Sequence, residues 1–229
     1  METKDIIEKC INWIRSEFTA SQKKNAIVHI TSTPSSIVSA KLCVNALGTA
    51  HVIGVCTPDE DNGETNVDPE IICKLLKIKL ITIPIHWFIR EASLADIPFT
   101  EKSSVNLKDR FRSNMLYCVA DELDGLVISD INYSNVHICD FTKFGTSVGD
   151  LLPLRYLCLK EIKNIGEELR IPQYWLKLED RPISIKNITY DEIDDFFINE
   201  SKDVTLMNKI EEVYSKNVKK WNLDNSFEV

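Results

Sequence analysis

The stretch from Ala26 to Leu47 constrains this chain most. It opens on a short apolar, β-branched run, Ala26-Ile27-Val28-His29-Ile30, which reads as a buried strand. A hydroxyl-rich loop follows, Thr31-Ser32-Thr33-Pro34-Ser35-Ser36, and then a helical run closed by Gly48. Thr33 suits an N-cap, and Pro34 suits the first helical position, where its fixed φ helps and its missing N–H costs nothing. Gly48 suits the helix end. A strand that feeds a helix through such a loop aims free N–H groups and the positive helix end at one spot, which is an anion cradle. The loop has no glycine and Pro34 removes one donor, so taken alone it also fits an ordinary strand-to-helix turn.

Further strand and helix patterns alternate along the chain. Asp5 to Phe18 sets Ile6, Ile7, Cys10, Ile11, Ile14 and Phe18 on one helical face. Strands are predicted over His51–Cys56, Lys79–Ile85 (with Pro84 marking an edge or a strand exit) and Gly125–Ser129. Helices are predicted from Asp68-Pro69 to Lys77, over Leu107–Leu123 and Tyr156–Leu169, and, after a linker at 180–187, over Thr189–Asn199 and Val204–Trp221. A weakly helical piece falls at His86–Ala95, loop at Asp96–Val105, irregular chain from 130 to 152, and a loose tail at 222–229. Such alternation means right-handed crossovers and an α/β fold, a doubly wound, mostly parallel sheet with helices on both faces and a helical C-terminal appendage. One domain is expected over 1–229, with a helix at 1–20, a core at 26–170 and the appendage at 171–229. The ligand crevice of such a sheet lies at the carboxyl ends of its strands. Thr31–Ser36, Pro58–Asp61 and Asp130–Asn135 all fall there.

The totals exclude several classes of function. A net charge of -8 with scattered Lys and Arg argues against nucleic acid. No apolar run reaches spanning length, so no membrane partner is expected. Seven cysteines stand far apart without a Cys-x-x-Cys, the pattern of reduced thiols in a cytoplasmic protein.

Three segments carry a resemblance. They are Asn106-Leu-Lys-Asp-Arg110-Phe-Arg112, then Phe141-Thr-Lys143-Phe-Gly145 with Gly149-Asp150-Leu-Leu-Pro153-Leu154, and Tyr190-Asp-Glu-Ile-Asp-Asp-Phe196. Their order and spacing resemble the ammonia-dependent NAD synthetases, of the adenine nucleotide α-hydrolase superfamily. The resemblance implies a homodimer that uses ATP and Mg2+ to adenylylate the carboxylate of deamido-NAD, from which ammonia displaces AMP. It implies a pyrophosphate loop at Thr31, Ser32, Thr33, Ser35 and Ser36. It also implies substrate-binding candidates at Asn106, Arg110, Arg112, Thr142 and Lys143, and the strand-end position adds Asp130 and Asn132, though turn chemistry explains Asn132 equally well.

The departures are concentrated. The family's Ser-Gly-Gly-x-Asp-Ser loop is here Thr31 to Ser36, without either glycine. The two positions where the family has magnesium-binding carboxylates are Ser35 and Asn135. The Asp of the family's Tyr-Gly-Asp is Thr146, and a basic residue of the next helix falls on Leu159, beside Lys160. The expectation is a member of the family with a degenerate ATP and Mg2+ site, catalytically silent or redirected, that keeps a nucleotide site. The alternative is an active synthetase whose metal carboxylates are Asp59, Asp61 or Asp130. A third class is a non-enzymatic dimeric interaction protein. Arg110 and Arg112 read equally as ligand contacts or as a solvated face paired with Asp109 or Asp121. Asp59, Glu60 and Asp61 read as a solvated acidic loop, His29 as a satisfied core histidine, His137 as unpartnered, and Cys139 as a packed thiol. No catalytic residue is assigned.

Overall fold

The computed structural model describes residues 2–59, 68–93, 99–138, 141–145, 148–178, 188–199 and 204–217. In chain order these form α1 (Thr3–Ser21), β1 (Asn25–His29), α2 (Pro34–Leu47), β2 (Val52–Cys56), α3 (Pro69–Leu76), β3 (Lys79–Thr82), α4 (His86–Ser93), α5 (Glu101–Glu122), β4 (Gly125–Ile128), α6 (Tyr133–His137), α7 (Leu159–Glu168), α8 (Gln173–Leu176), α9 (Tyr190–Asn199) and α10 (Val204–Asn217). The strands make one parallel sheet in the order β3-β2-β1-β4. Beyond β4 the chain returns to pair Leu151 with Ile128, which lengthens that side of the sheet by one bridge.

Burial on both faces explains why the middle of β1 and all of β2 and β4 carry no polar side chain but the Cys56 thiol. Ala26, Val28, Val52 and Ile128 face a core shared with α1, α2, α3, α7 and α8. Ile27, Ile53, Val55 and Val127 face the other way, onto Leu116, Val119 and Ala120 of α5. A sheet covered on both faces needs apolar side chains at every position. α9 and α10 pack separately, with Ile138 against Ile188, Ile193 and Ile210.

Several expectations are corrected at their edges. Helix α5 begins at Glu101, six residues before the expected start, because Thr100 caps it by accepting from the Ser103 N–H at 3.2 Å. Residues 99–105 are therefore mostly helix rather than loop. α7 begins at Leu159 instead of Tyr156. The region 130–152 is not wholly irregular, since it holds α6. The short α8 was not anticipated, and β3 ends at Thr82, before Pro84. The linker at 180–187, Cys139, Glu60, Asp61, Thr146, the Val204 helix beyond Asn217 and the tail at 222–229 lie outside the described residues. Among the described residues no helix is long and apolar enough to cross a membrane.

Candidate functional site

The carboxyl edge of the sheet brings the expected loops together and shows how each is held. Thr33 caps α2 by accepting from the Ser36 N–H at 3.3 Å. Its hydroxyl also meets that of Thr31 at 2.9 Å. Ser36 donates to the His29 carbonyl at 2.7 Å and accepts from the Thr31 N–H at 3.0 Å. The Thr31 and Thr33 hydroxyls thus bond to each other, and those of Thr33 and Ser36 to nearby backbone groups, which sets the loop's shape. Thr33→Ala removes the cap and is expected to cost about 1 kcal/mol, read as a lower denaturant midpoint at unchanged slope.

Ser35 turns inward and is 1 % exposed. It accepts a hydrogen bond from Asn132 Nδ2 at 3.1 Å, which ties the first crevice loop to the third. Asn132 in turn caps α6 by accepting from the Asn135 N–H at 2.9 Å, and Asn135 Oδ1 accepts from the Asn132 N–H at 3.4 Å. Asn135 Nδ2 donates to the Tyr190 hydroxyl at 2.8 Å, reaching α9. Ser35 and Asn135, the two positions of the expected magnesium ligands, are both neutral, and both are used as hydrogen-bonding ties. Mg2+ is usually held through one or two carboxylates with water and substrate oxygens, and these two positions offer no carboxylate. Among the described residues no three His, Cys, Asp or Glu side chains are placed to hold a metal ion.

Asp59 is the last described residue of the second loop, and its carboxylate meets α5. Asp59 is 7 % exposed and ion-paired with Lys108 of α5. The solvated-loop expectation is therefore wrong for Asp59. His29 Nε2 lies 2.9 Å from the Thr57 hydroxyl, so this histidine is satisfied where β1 and β2 end.

Helix α5 has two working faces. On one, the Thr142 hydroxyl lies 2.9 Å from Asn106 Oδ1 and 2.7 Å from Asp109 Oδ2, with a single proton to share between them. Ser113 donates to the Gly145 carbonyl at 2.7 Å, and Arg110 Nε donates to the Lys143 carbonyl at 3.2 Å. Asn106, Arg110, Thr142 and Lys143 are thus gathered, as a latch between α5 and the 141–145 segment. Arg110 is exposed. Lys143 lies over the Phe144 ring, 5.1 Å from its centre. Arg112 pairs with Asp109 at 3.0 Å on the other side. Asp130 is buried at the strand end.

Two groups that were not anticipated complete the edge. Ser134 donates to Asp194 Oδ1 and accepts from the Leu159 N–H at 3.2 Å. Asp194 Oδ2 accepts from the Lys160 N–H at 2.7 Å. Burial pushes the Asp194 carboxyl up, against the pull of the Ser134 and Lys160 hydrogen bonds. His137 has ring partners after all, Tyr133 at 3.7 Å and Phe197 at 4.7 Å between centres. Burial lowers its pKa, so it leans toward the neutral form.

The sequence profile described as NAD synthase matches residues 6–228. A relative named NH(3)-dependent NAD(+) synthetase from Methanopyrus kandleri is 28% identical over 172 residues, 73% of this chain and 61% of that one. The chain thus spans less than two thirds of that relative. A protein of the same name from Finegoldia magna is 28% identical over 211 residues, 86% of this chain and 85% of that one. The solved structure of an NMN synthetase from Francisella tularensis superposes with a TM-score of 0.90 at 22% identity, covering all of both chains. At that identity the likeness is one of fold.

Proposed function

This chain belongs to the NAD synthase family, and we propose that it is a member that has given up magnesium-dependent activation of ATP, keeping a nucleotide site that is silent or redirected. The observation that carries this reading is the double tie at the carboxyl edge. Ser35 is held by Asn132 and Asn135 by Tyr190, with no charge at either position. The chemistry implied by the relatives' names and by the sequence resemblance turns a carboxylate into an acyl adenylate, releasing pyrophosphate, and ammonia then displaces AMP. That sequence concentrates negative charge on a leaving pyrophosphate, and stabilising it is the largest task of such a site. Hydroxyls bonded to one another do this poorly.

A homodimer is part of the proposal. Trp87 and Phe88 of α4 are exposed, and Phe88 stacks on Phe111 of α5 at 5.6 Å, an apolar surface suited to a second copy. A cytoplasmic setting is part of it too. Six described cysteines are free thiols, and burial pushes Cys73 and Cys158 up to about 12, so they behave as packed apolar groups.

A second reading, a working ammonia-dependent synthetase, is favoured by the alignment with the Finegoldia magna protein along 86% of this chain. One assay separates the two. Purified protein is incubated with ATP, Mg2+, ammonium and either deamido-NAD or nicotinate mononucleotide, and AMP, NAD and NMN are quantified beside an active family enzyme. The proposal expects turnover on the order of a thousandfold below that control, the scale of losing a main electrostatic group. NAD or NMN formed at the control's rate overturns it. The variant Ser35→Asp/Asn135→Glu is expected to gain magnesium-dependent ATP binding by calorimetry. A double variant that folds and gains none removes the diagnosis of what was lost.

A further inference from the structure

Ser104, Lys108 and Arg112 follow one another at spacings of four along α5, so they rise as one stripe on the helix. This stripe lies away from the face that carries Asn106 and Arg110. With Glu101 and Val105 it lines a cavity of about 380 Å³. Lys108 and Arg112 are largely withdrawn from water, with side chains 15% and 25% exposed. Partial burial weakens screening of their charges.

Each cation is held by one carboxylate and keeps donors in hand. Lys108 meets Asp59 and retains two of its three N–H groups. Arg112 meets Asp109 through Nη1, which leaves Nε and Nη2. Ser104 adds a hydroxyl. Because the carboxylates fix both cations, little side-chain freedom remains to be lost on binding.

A planar fork, an ammonium and a hydroxyl on one wall match the three acceptor oxygens of a phosphomonoester. Glu101 at the same cavity repels anions and accepts from hydroxyls, so it suits the sugar end of a sugar phosphate. Val105, 52% exposed, offers an apolar surface beside it. The volume is at the small end for ligand sites, too small for a whole dinucleotide. We propose that this cavity is a metal-independent subsite for the phosphate end of a phosphorylated sugar, the ribose 5-phosphate portion of a nucleotide included. The proposal rests on the family reading only in supposing that a nucleotide fragment is the ligand.

The test is calorimetric titration of the full chain with ribose 5-phosphate, without ATP and in EDTA. Ribose 5-phosphate is expected to bind, more weakly as salt rises, while ribose gives no signal and inorganic phosphate binds less tightly. Arg112→Gln is expected to weaken binding roughly tenfold or more, the scale of one charge-assisted hydrogen bond. Ser104→Ala is expected to weaken it severalfold. Lys108→Gln combined with Asp59→Asn removes the ammonium without stranding a carboxylate. It is expected to match Arg112→Gln while melting as a folded protein. No binding by the parent chain up to millimolar ligand overturns the proposal, as do equal affinities across these folded variants. A loss seen in Thr31→Val instead of the α5 variants moves the anion to the hydroxyl loop and also overturns it. Magnesium and ATP are absent from this titration, so its failure leaves the silent-enzyme reading standing, and the turnover assay tests that reading alone.

Discussion

Lys108→Met is expected to lower stability by about 3–5 kcal/mol, the usual cost of stranding one member of a buried ion pair. Asp59 has its side chain 2% exposed, and Lys108 is its ion-pair partner. Replacing Lys108 with an apolar residue of similar length keeps the packing and removes the countercharge, so the loss reports the carboxylate left behind. For a chain of this size the melting temperature should fall by roughly 10 °C or more. Adding Asp59→Asn removes the stranded charge and should restore all but about 1 kcal/mol, because a neutral pair of similar shape in place of a buried ion pair is often near neutral. The double-mutant cycle should therefore show strong coupling. A single variant that costs less than about 1 kcal/mol would place Asp59 in water, and the pair would then be an ordinary surface contact.

That pair also marks where the sequence stopped being legible. Asp59-Glu60-Asp61 beside Asn62-Gly63 has the composition of a solvated turn, and only the fold brings Lys108, 49 positions along the chain, over Asp59. Local signals served well. Thr33, Pro34 and Gly48 bounded α2 where they were expected to, and the apolar runs located the four strands found among the described residues. The start of α5 was missed although its signal was present, since Thr100 three residues before Ser103 is a usable cap. Ser103, Ser104 and Asn106 are weak helix formers, and their polarity hid the first turns. Helix α6 is five residues long and is fixed by the Asn132 and Asn135 caps, too short to leave a periodicity.

The start of α7 was misplaced for a different reason. Tyr156 and Leu157 continue the helical pattern, and the one local sign, the Cys158 N–H donated to Glu161 at 2.9 Å as in a capping box, has Cys where Ser or Thr is usual. Two N–H groups of the first turn are satisfied from elsewhere in the chain, Leu159 by Ser134 of α6 and Lys160 by Asp194 of α9. A cap supplied across 25 and 34 positions leaves no local trace. The candidate site divided along the same line. The positions that lost charge were visible as residue types, but the ties from Ser35 to Asn132 and from Asn135 to Tyr190 needed the structure.

Asp194→Ala should therefore be among the most damaging single changes, with an expected loss of about 3 kcal/mol. The side chain is fully buried. Its removal leaves the Lys160 N–H and the Ser134 hydroxyl without their acceptor, and hydrogen bonds to a charged group contribute about 1.5–3 kcal/mol each. It also takes a carboxylate from the positive end of α7. Hydrogen exchange should rise first at Leu159 and Lys160 and along α9, ahead of β1 and β2, because α9 has its own small core. Asp194→Asn keeps the shape and one acceptor and should lose less. The two variants differ from the parent in a pH-dependent way. Burial raises the folded pKa of Asp194 above its ordinary 3.8, so the folded chain holds this proton more tightly than the unfolded one. The contribution is fully present below pH 3.8 and is lost as pH rises through the higher folded value. Between those limits the parent should lose stability relative to Asp194→Asn as pH rises, and above them the difference should level off. A difference that grows in the opposite direction would mean that the Ser134 and Lys160 hydrogen bonds outweigh burial. Either slope reads directly on the site, because the α6 that Asp194 steadies through Ser134 is the helix whose cap, Asn132, holds Ser35.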